Sequence, residues 1–219
     1  MTVDFQASLF DNPFAGEAEV SPGVPGVGEL GTTVRRHRLT DGAWVDVRPG
    51  WIAGSDDLFA RLVRTVPWYA ERRQMYDRVV DVPRLLKFYG ESEPLPDPLL
   101  VDARKALNVE YHAELGEEFT TAGLCYYRDG RDSVAWHGDT IGRSRTEDTM
   151  VAIVSFGEAR RLVLRPRSGN APQVGFPVGH GDLLVMGGSC QRTWEHAILK
   201  TARPVGPRIS VQFRPHNVR

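Results

Sequence analysis

The sequence predicts an α+β protein in which two helices precede an all-β half folded as a sandwich or barrel. Three observations carry this. Two stretches before residue 116 place apolar residues at helical spacing between start and stop signals. Seven short strand-like segments follow residue 119, separated by turn residues. The 219 residues, 41% hydrophobic and 25% charged, suit one domain, expected over 35–219.

Taken in order, residues 1–34 carry Gly or Pro at 13, 16, 22, 23, 25, 26, 28 and 31 and read as a flexible arm. From Ser55 to Val66, an apolar stripe runs through Leu58, Phe59, Leu62, Val63 and Val66. Ser55 is expected to cap this helix, Asp56 and Asp57 to suit its positive end, and Pro67 to stop it. A second helix is expected to start at Asp97-Pro98 and stop at Gly116. It turns Leu99, Leu100, Ala103, Ala106, Leu107, Tyr111 and Leu115 inward. Strands are expected at 121–127, 133–137, 149–156, 160–165, 182–187, 193–198 and 208–214. Asp129-Gly130, Gly157, Ser168-Gly169-Asn170 and Gly187-Gly188 supply turns between them.

Composition excludes several classes. No run approaches the roughly 20 apolar residues of a membrane span. A net charge of −1 makes no global electrostatic claim on nucleic acid. Only Lys87, Lys105 and Lys200 are lysines among the 27 basic residues; Arg-rich codon usage explains this as well as phosphate recognition does. Cys125 and Cys190 make no disulfide framework, and the first thirty residues hold no basic segment followed by an apolar run. A cytoplasmic location is expected.

Trp136-His137-Gly138-Asp139 closes a predicted strand, where extended residues two apart share a face. His196 lies far downstream in another strand-like segment, Thr193-Trp194-Glu195-His196. Two imidazoles and one carboxylate leave about half of an octahedron open, which suits non-haem Fe(II). Zinc accepts the same donors, and a hydrogen-bonded strand-end histidine explains His137 taken alone. The last strand sharpens the pattern. Ile209, Val211 and Phe213 share one face; Arg208, Ser210, Gln212 and Arg214 share the other. A polar face carrying two cations is either solvated or lines a pocket for a dianion. 2-Oxoglutarate, with a chelating keto-acid head and a distal carboxylate, fits the second reading.

At this point the residues resemble the AlkB family of Fe(II)- and 2-oxoglutarate-dependent dioxygenases, over roughly 55–215. Its H-x-D, distal His and R-x5-R are matched in order by His137/Asp139, His196 and Arg208/Arg214. The stretches VPRLLKFYG (82–90), YRDGRDSVAWHGD (127–139), SFGEARRLVLRP (155–166) and GDLLVMGG (181–188) resemble family text as well. The resemblance implies a double-stranded β-helix, or jelly roll, over about 119–216, with N-terminal helices and a nucleotide lid. It implies that His137, Asp139 and His196 bind Fe(II). Arg208 and the Tyr127 hydroxyl would hold the distal carboxylate of 2-oxoglutarate, with Ser210 in the same contact set and Arg214 near the metal-end carboxylate. With O2, such a site oxidises a methyl group on a base nitrogen and releases succinate, CO2 and formaldehyde. The substrate is nucleic acid, DNA ahead of RNA, and the base must leave its stack to reach the metal. Tyr76, Tyr89 and Trp136, together with Trp68, Tyr69 and Phe88, are candidate stacking surfaces. Arg84 is a candidate phosphate contact, as are Arg72, Arg73, Arg78, Arg143 and Arg145.

Three departures bear on specificity. Cys125 and Ser210 stand where the family often has Asn, and Ile141 stands where close relatives often carry an acid that meets a cationic base. Glu147 or Asp148 could substitute for that acid. These departures favour a second reading, a hydroxylase of a protein or small molecule. A third reading is a metal-binding nucleic-acid module without turnover. Finally, Gln6-Ala7-Ser8-Leu9-Phe10 resembles the Q-x-S-L-F peptide by which bacterial repair and replication proteins hold the sliding clamp, although a staple onto the body of this chain is the stronger alternative.

Overall fold

Two β-sheets face one another, and two helices cover the back of the larger sheet. The computed structural model describes residues 24–75, 78–143 and 146–218, with the backbone alone for residues of 73–81 in this range. The strands are β1 (Gly26–Val27), β2 (Arg35–Arg38), β3 (Trp44–Arg48), β4 (Ile52–Ala53), β5 (Tyr69–Met75), β6 (Arg78–Tyr89) and β7 (Phe119–Tyr127). They continue as β8 (Val134–His137), β9 (Val151–Gly157), β10 (Arg160–Pro166), β11 (Val174–Val178), β12 (Leu183–Gly187), β13 (Trp194–Ile198) and β14 (Arg208–Pro215). The helices are α1 (Ser55–Thr65), α2 (Pro98–Leu115) and the single turn α3 (Cys190–Thr193).

The major sheet has the order β2-β3-β12-β9-β14-β7-β6-β5, and the minor sheet β11-β10-β13-β8. All of the pairings are antiparallel. This is the jelly roll expected above. The central strands of the major sheet are covered on both sides, so β9 reads as an unbroken apolar run. Ala152, Val154 and Phe156 face the helices with Leu58, Leu62, Leu100 and Leu107. Val151 and Ile153 face the minor sheet with Leu162, Leu164, Phe176 and Ile198. Each such side chain contributes about 1.5–3 kcal/mol on burial.

The second helix forms as predicted. Asp97 caps α2 by accepting from the Leu99 amide, and Gly116 ends it at φ 79°. The first differs at its start. Gly54, at φ 71°, occupies the cap position of α1, and the Ser55 hydroxyl instead donates to the Ile52 carbonyl.

The N-terminal half is not mainly helical. Among the described residues, six strands precede residue 119. The arm expected over 1–34 is structured in its last part: β1 pairs with β4, the Trp51 indole donates to the Gly28 carbonyl, and Leu30 is buried in the core. Gln6–Phe10 lies outside the described residues.

Candidate metal centre

Strand pairing brings the two histidines together. β13 and β8 run antiparallel with His196 directly opposite His137, and Ile198 opposite Val134. One residue, Ala197, therefore faces two, Ala135 and Trp136, a bulge that turns both Val134 and His137 inward. Asp139 is placed otherwise than strand alternation predicts. β8 ends at His137, and the Thr140 amide bonds back to the Gly138 carbonyl in a tight turn. The Asp139 amide donates to Gln191 Oε1 at 2.9 Å, and Arg214 Nε donates to Asp139 Oδ2 at 2.9 Å.

The result is a cluster in which one donor atom from each of His137, Asp139 and His196 lies within 4.8 Å of the others. Asp139 Oδ1 is 3.7 Å from His137 Nε2. His137 Nδ1 is 2.8 Å from the Ala135 carbonyl, so that nitrogen carries the proton and Nε2 keeps its lone pair for a metal. Burial, and then the neighbouring His137, hold the His196 imidazole neutral, with its pKa lowered to about 3. Burial raises the Asp139 carboxyl, but Arg214, His196 and His137 together outweigh it and bring the value down to about 2. Two imidazoles, His196 held neutral, and an ionised carboxylate form a ligand set for a divalent cation.

Beside these donors the polar face of β14 lines the pocket, as its alternation predicted. Ile209, Val211 and Phe213 are buried among the helices' core residues. Arg208, Ser210, Gln212 and Arg214 line the cavity with Arg84, Cys125, Tyr127 and the three metal donors. Arg208 is 1% exposed; its Nε donates to the Ser155 hydroxyl at 2.8 Å, and its Nη1 has no partner among the described residues. A buried guanidinium with an idle donor is costly unless an anion meets it. Its carbon lies 5.1 Å from the centre of the Tyr127 ring. Burial pushes the Tyr127 hydroxyl up to about 12, so it stays a neutral donor. Ser210 accepts from Gln212 Nε2 through both its carbonyl and its hydroxyl. Arg214 passes over Gly123, which pairs with Gln212 on β7 and carries no side chain; a Cβ there would stand 2.8 Å from Arg214 Nη1.

The other sequence-based candidates are distributed differently. Arg84 is not a surface phosphate contact. It lines the pocket, with Nε on the Cys125 sulfur at 3.4 Å and Nη1 on the Ser133 carbonyl at 2.9 Å. Tyr89 is 5% exposed in the helix-side core and offers no face to a base. Trp136 lies outside the pocket, under the Arg165 guanidinium at 4.3 Å. Trp68 packs on Tyr126, and Arg143 is committed to Glu117 and the His216 carbonyl. Tyr76, Arg145 and the side chains of Arg73 and Arg78 lie outside the described residues. Sequence reasoning missed Gln191 and Ser155. Ser155 had a signal, a lone hydroxyl in an apolar strand; Gln191 had none. A larger open hollow of about 460 Å³, bounded by Asp129, Glu158 and Arg203, holds none of the metal donors. His180 accepts from the Gly157 amide and faces Asp56, apart from the cluster. The Cys190 thiol is buried, and burial pushes it up to about 12.

Residues 89–214 match the family model described as the 2OG-Fe(II) oxygenase superfamily. The chain belongs to that superfamily. AlkB homologues are among its relatives. The chain is 31% identical over 190 residues to the bovine (Bos taurus) alpha-ketoglutarate-dependent dioxygenase alkB homolog 3, covering 76% of this chain and 64% of that protein. It is 27% identical over 184 residues to the human (Homo sapiens) DNA oxidative demethylase ALKBH2, covering 74% and 69%. A prolyl hydroxylase from Trichoplax adhaerens, solved with a peptide fragment, shares the fold at TM-score 0.57 and 11% identity, covering 81% of this chain and 84% of that one.

Membership of this superfamily implies Fe(II), 2-oxoglutarate and O2, and the residues present fit them. The donor types and spacing at His137, Asp139 and His196 suit ferrous iron. The idle Nη1 of Arg208 suits a carboxylate.

Proposed function

We propose that this protein is an Fe(II)- and 2-oxoglutarate-dependent oxidative demethylase of N-alkylated bases in nucleic acid, DNA ahead of RNA, acting in alkylation repair. The observation that carries this reading is the metal donor cluster sharing one pocket with a buried, incompletely bonded Arg208. The AlkB homologues among its relatives support the substrate class.

When bound, iron with 2-oxoglutarate and O2 supplies the oxidation that converts an N-methyl group to an N-hydroxymethyl group, released as formaldehyde alongside succinate and CO2. The chain's own residues do the rest. His137, Asp139 and His196 would hold the metal. Arg208 would pair with the distal carboxylate of 2-oxoglutarate, aided by the Tyr127 hydroxyl, while Ser155 keeps the guanidinium aimed inward. Arg214 keeps the Asp139 carboxylate ionised and oriented. Val151, Ile153, Leu162, Val178 and Ile198 wall the pocket with apolar surface that excludes water from the reaction. The β5–β6 hairpin is the proposed nucleotide lid. β6 pairs with β7 only from Leu85 to Tyr89, and Arg78 to Asp81 pair with β5 alone. The reading extends to a cytoplasmic protein, consistent with two free cysteines, and to a clamp contact through Gln6–Phe10. No helix among the described residues is long and apolar enough to cross a membrane.

The test is release of succinate and formaldehyde from a methylated oligonucleotide, with the unmodified strand as control. The proposal predicts both products in equal amounts from the methylated strand. Succinate without formaldehyde would transfer the chemistry to a protein or small-molecule substrate. Binding of a peptide spanning 1–15 to the clamp tests the tail, and no measurable affinity would remove that part.

A further inference from the structure

We propose that the pocket selects a neutral N-alkylated lactam base, such as N3-methylthymine, over a cationic base such as N3-methylcytosine, and that Arg84 bonds its ring carbonyl. This rests on the demethylase reading and names the substrate class of the same site.

The described residues lining the pocket include three guanidiniums, Arg84, Arg208 and Arg214, and one carboxylate, Asp139, an excess of two positive charges. Binding a divalent cation and a dianionic cosubstrate leaves that excess unchanged. A cationic base would enter against it; a neutral base would not. Asp139 cannot offset the charge for a base, since Oδ2 accepts from Arg214 and Oδ1 faces His137.

Among the described residues, the acids around the pocket are also engaged. Glu117 and Glu147 both face Arg143, and Asp148 pairs with Arg192. Glu71 lies within electrostatic reach of Arg84 but is not among the pocket-lining residues, and it has a contact of its own. Two residues beyond Asp139 stands Ile141, 69% exposed and apolar. Its turn is held in place. The Arg143 amide bonds to the Thr140 carbonyl, and the Arg143 side chain to the His216 carbonyl at 3.0 Å. Gly142 has φ 84°, and a Cβ there would lie 1.9 Å from the Asn217 carbonyl oxygen.

Hydrogen bonding points the same way. A guanidinium only donates. Arg84 uses Nε and Nη1 on Cys125 and Ser133, and its Nη2 has no hydrogen bond among the described residues. N3-methylthymine and N1-methylguanine carry carbonyl acceptors beside the alkylated nitrogen and are uncharged. N1-methyladenine presents an amino donor there and carries a charge. N3-methylcytosine has one carbonyl but brings the charge as well.

The experiment compares N3-methylthymine and N3-methylcytosine in one oligonucleotide sequence. It measures kcat/KM for formaldehyde release and, separately, Kd with the metal-free protein. The expected result is at least a tenfold preference for N3-methylthymine in both. Arg84→Gln should shrink that preference, and the exposed Ile141→Glu should raise kcat/KM on N3-methylcytosine. Equal or better use of N3-methylcytosine by the wild type would overturn the proposal, as would a cationic preference that Glu71→Gln abolishes. Formaldehyde from neither strand, nor from any other methylated strand, would overturn the demethylase reading itself.

Discussion

Arg208 is the residue on which cosubstrate binding turns, and its energetics have opposite signs with and without ligand. It is buried, held by Ser155 and left with an idle Nη1. Burial lowers its pKa, yet guanidinium stays charged at any working pH. Replacing it with an apolar residue of similar length removes an uncompensated charge. Arg208→Met should therefore raise the unfolding free energy of the ligand-free protein by about 1–4 kcal/mol. The same change should weaken 2-oxoglutarate binding by roughly two orders of magnitude or more, the cost of a lost charge-assisted pair. Denaturant titration and calorimetry read the two effects; a variant that is less stable yet still binds the cosubstrate would contradict both. His196 gives a pH signature. Its folded pKa, lowered to about 3 by burial and then His137, lies below that of the unfolded chain. Between those values the unfolded state binds more protons, so stability falls as pH drops from about 6.5 toward 3. Urea midpoints of the metal-free protein should decline across that window, and more shallowly for His196→Asn. Identical slopes would show that His196 titrates normally.

Strand β14 is the element that joins core to site. Its odd-numbered residues anchor the helix-side core, and its even-numbered residues line the pocket. Phe213→Ala should cost about 3–5 kcal/mol of stability by opening a cavity, with the pocket residues on the other face unchanged. A loss under 1 kcal/mol in thermal or urea unfolding would mean that the strand is not anchored there. This alternation was legible because the strand is long and its two faces differ in chemistry. The N-terminal strands were not. β2 reads Arg-Arg-His-Arg and shows no apolar period. β6 contains Pro83, which falls where its pairing with β5 lapses and before pairing with β7 begins. β11 contains Pro177 and lies at a sheet edge, where a missing amide is tolerated. Edge strands and charged strands owe their structure to neighbours, which local periodicity does not register. Tyr89 and Trp136 were misplaced for a related reason: which face of a strand an aromatic occupies depends on register and on a bulge, here between Val134 and His137.

At the scale of the molecule, the jelly roll places two residues far apart in sequence opposite each other across one strand pair, and this made the metal ligands readable by order and type alone. The positions of Gln191 and Ser155, and the pocket-side location of Arg84, required the three-dimensional packing of sheet on sheet. The net charge of −1 hides a pocket with a strong local positive excess, so composition is silent on the property that governs substrate choice. The central claim is that His137, Asp139 and His196 together hold one ferrous ion. Anaerobic calorimetric titration with Fe(II), run on the wild type and on Asp139→Ala, tests this most directly. The account predicts one ion per chain for the wild type and a loss of at least a hundredfold in affinity for the variant, whose circular dichroism stays native. Undiminished stoichiometric binding by a natively folded Asp139→Ala would contradict it.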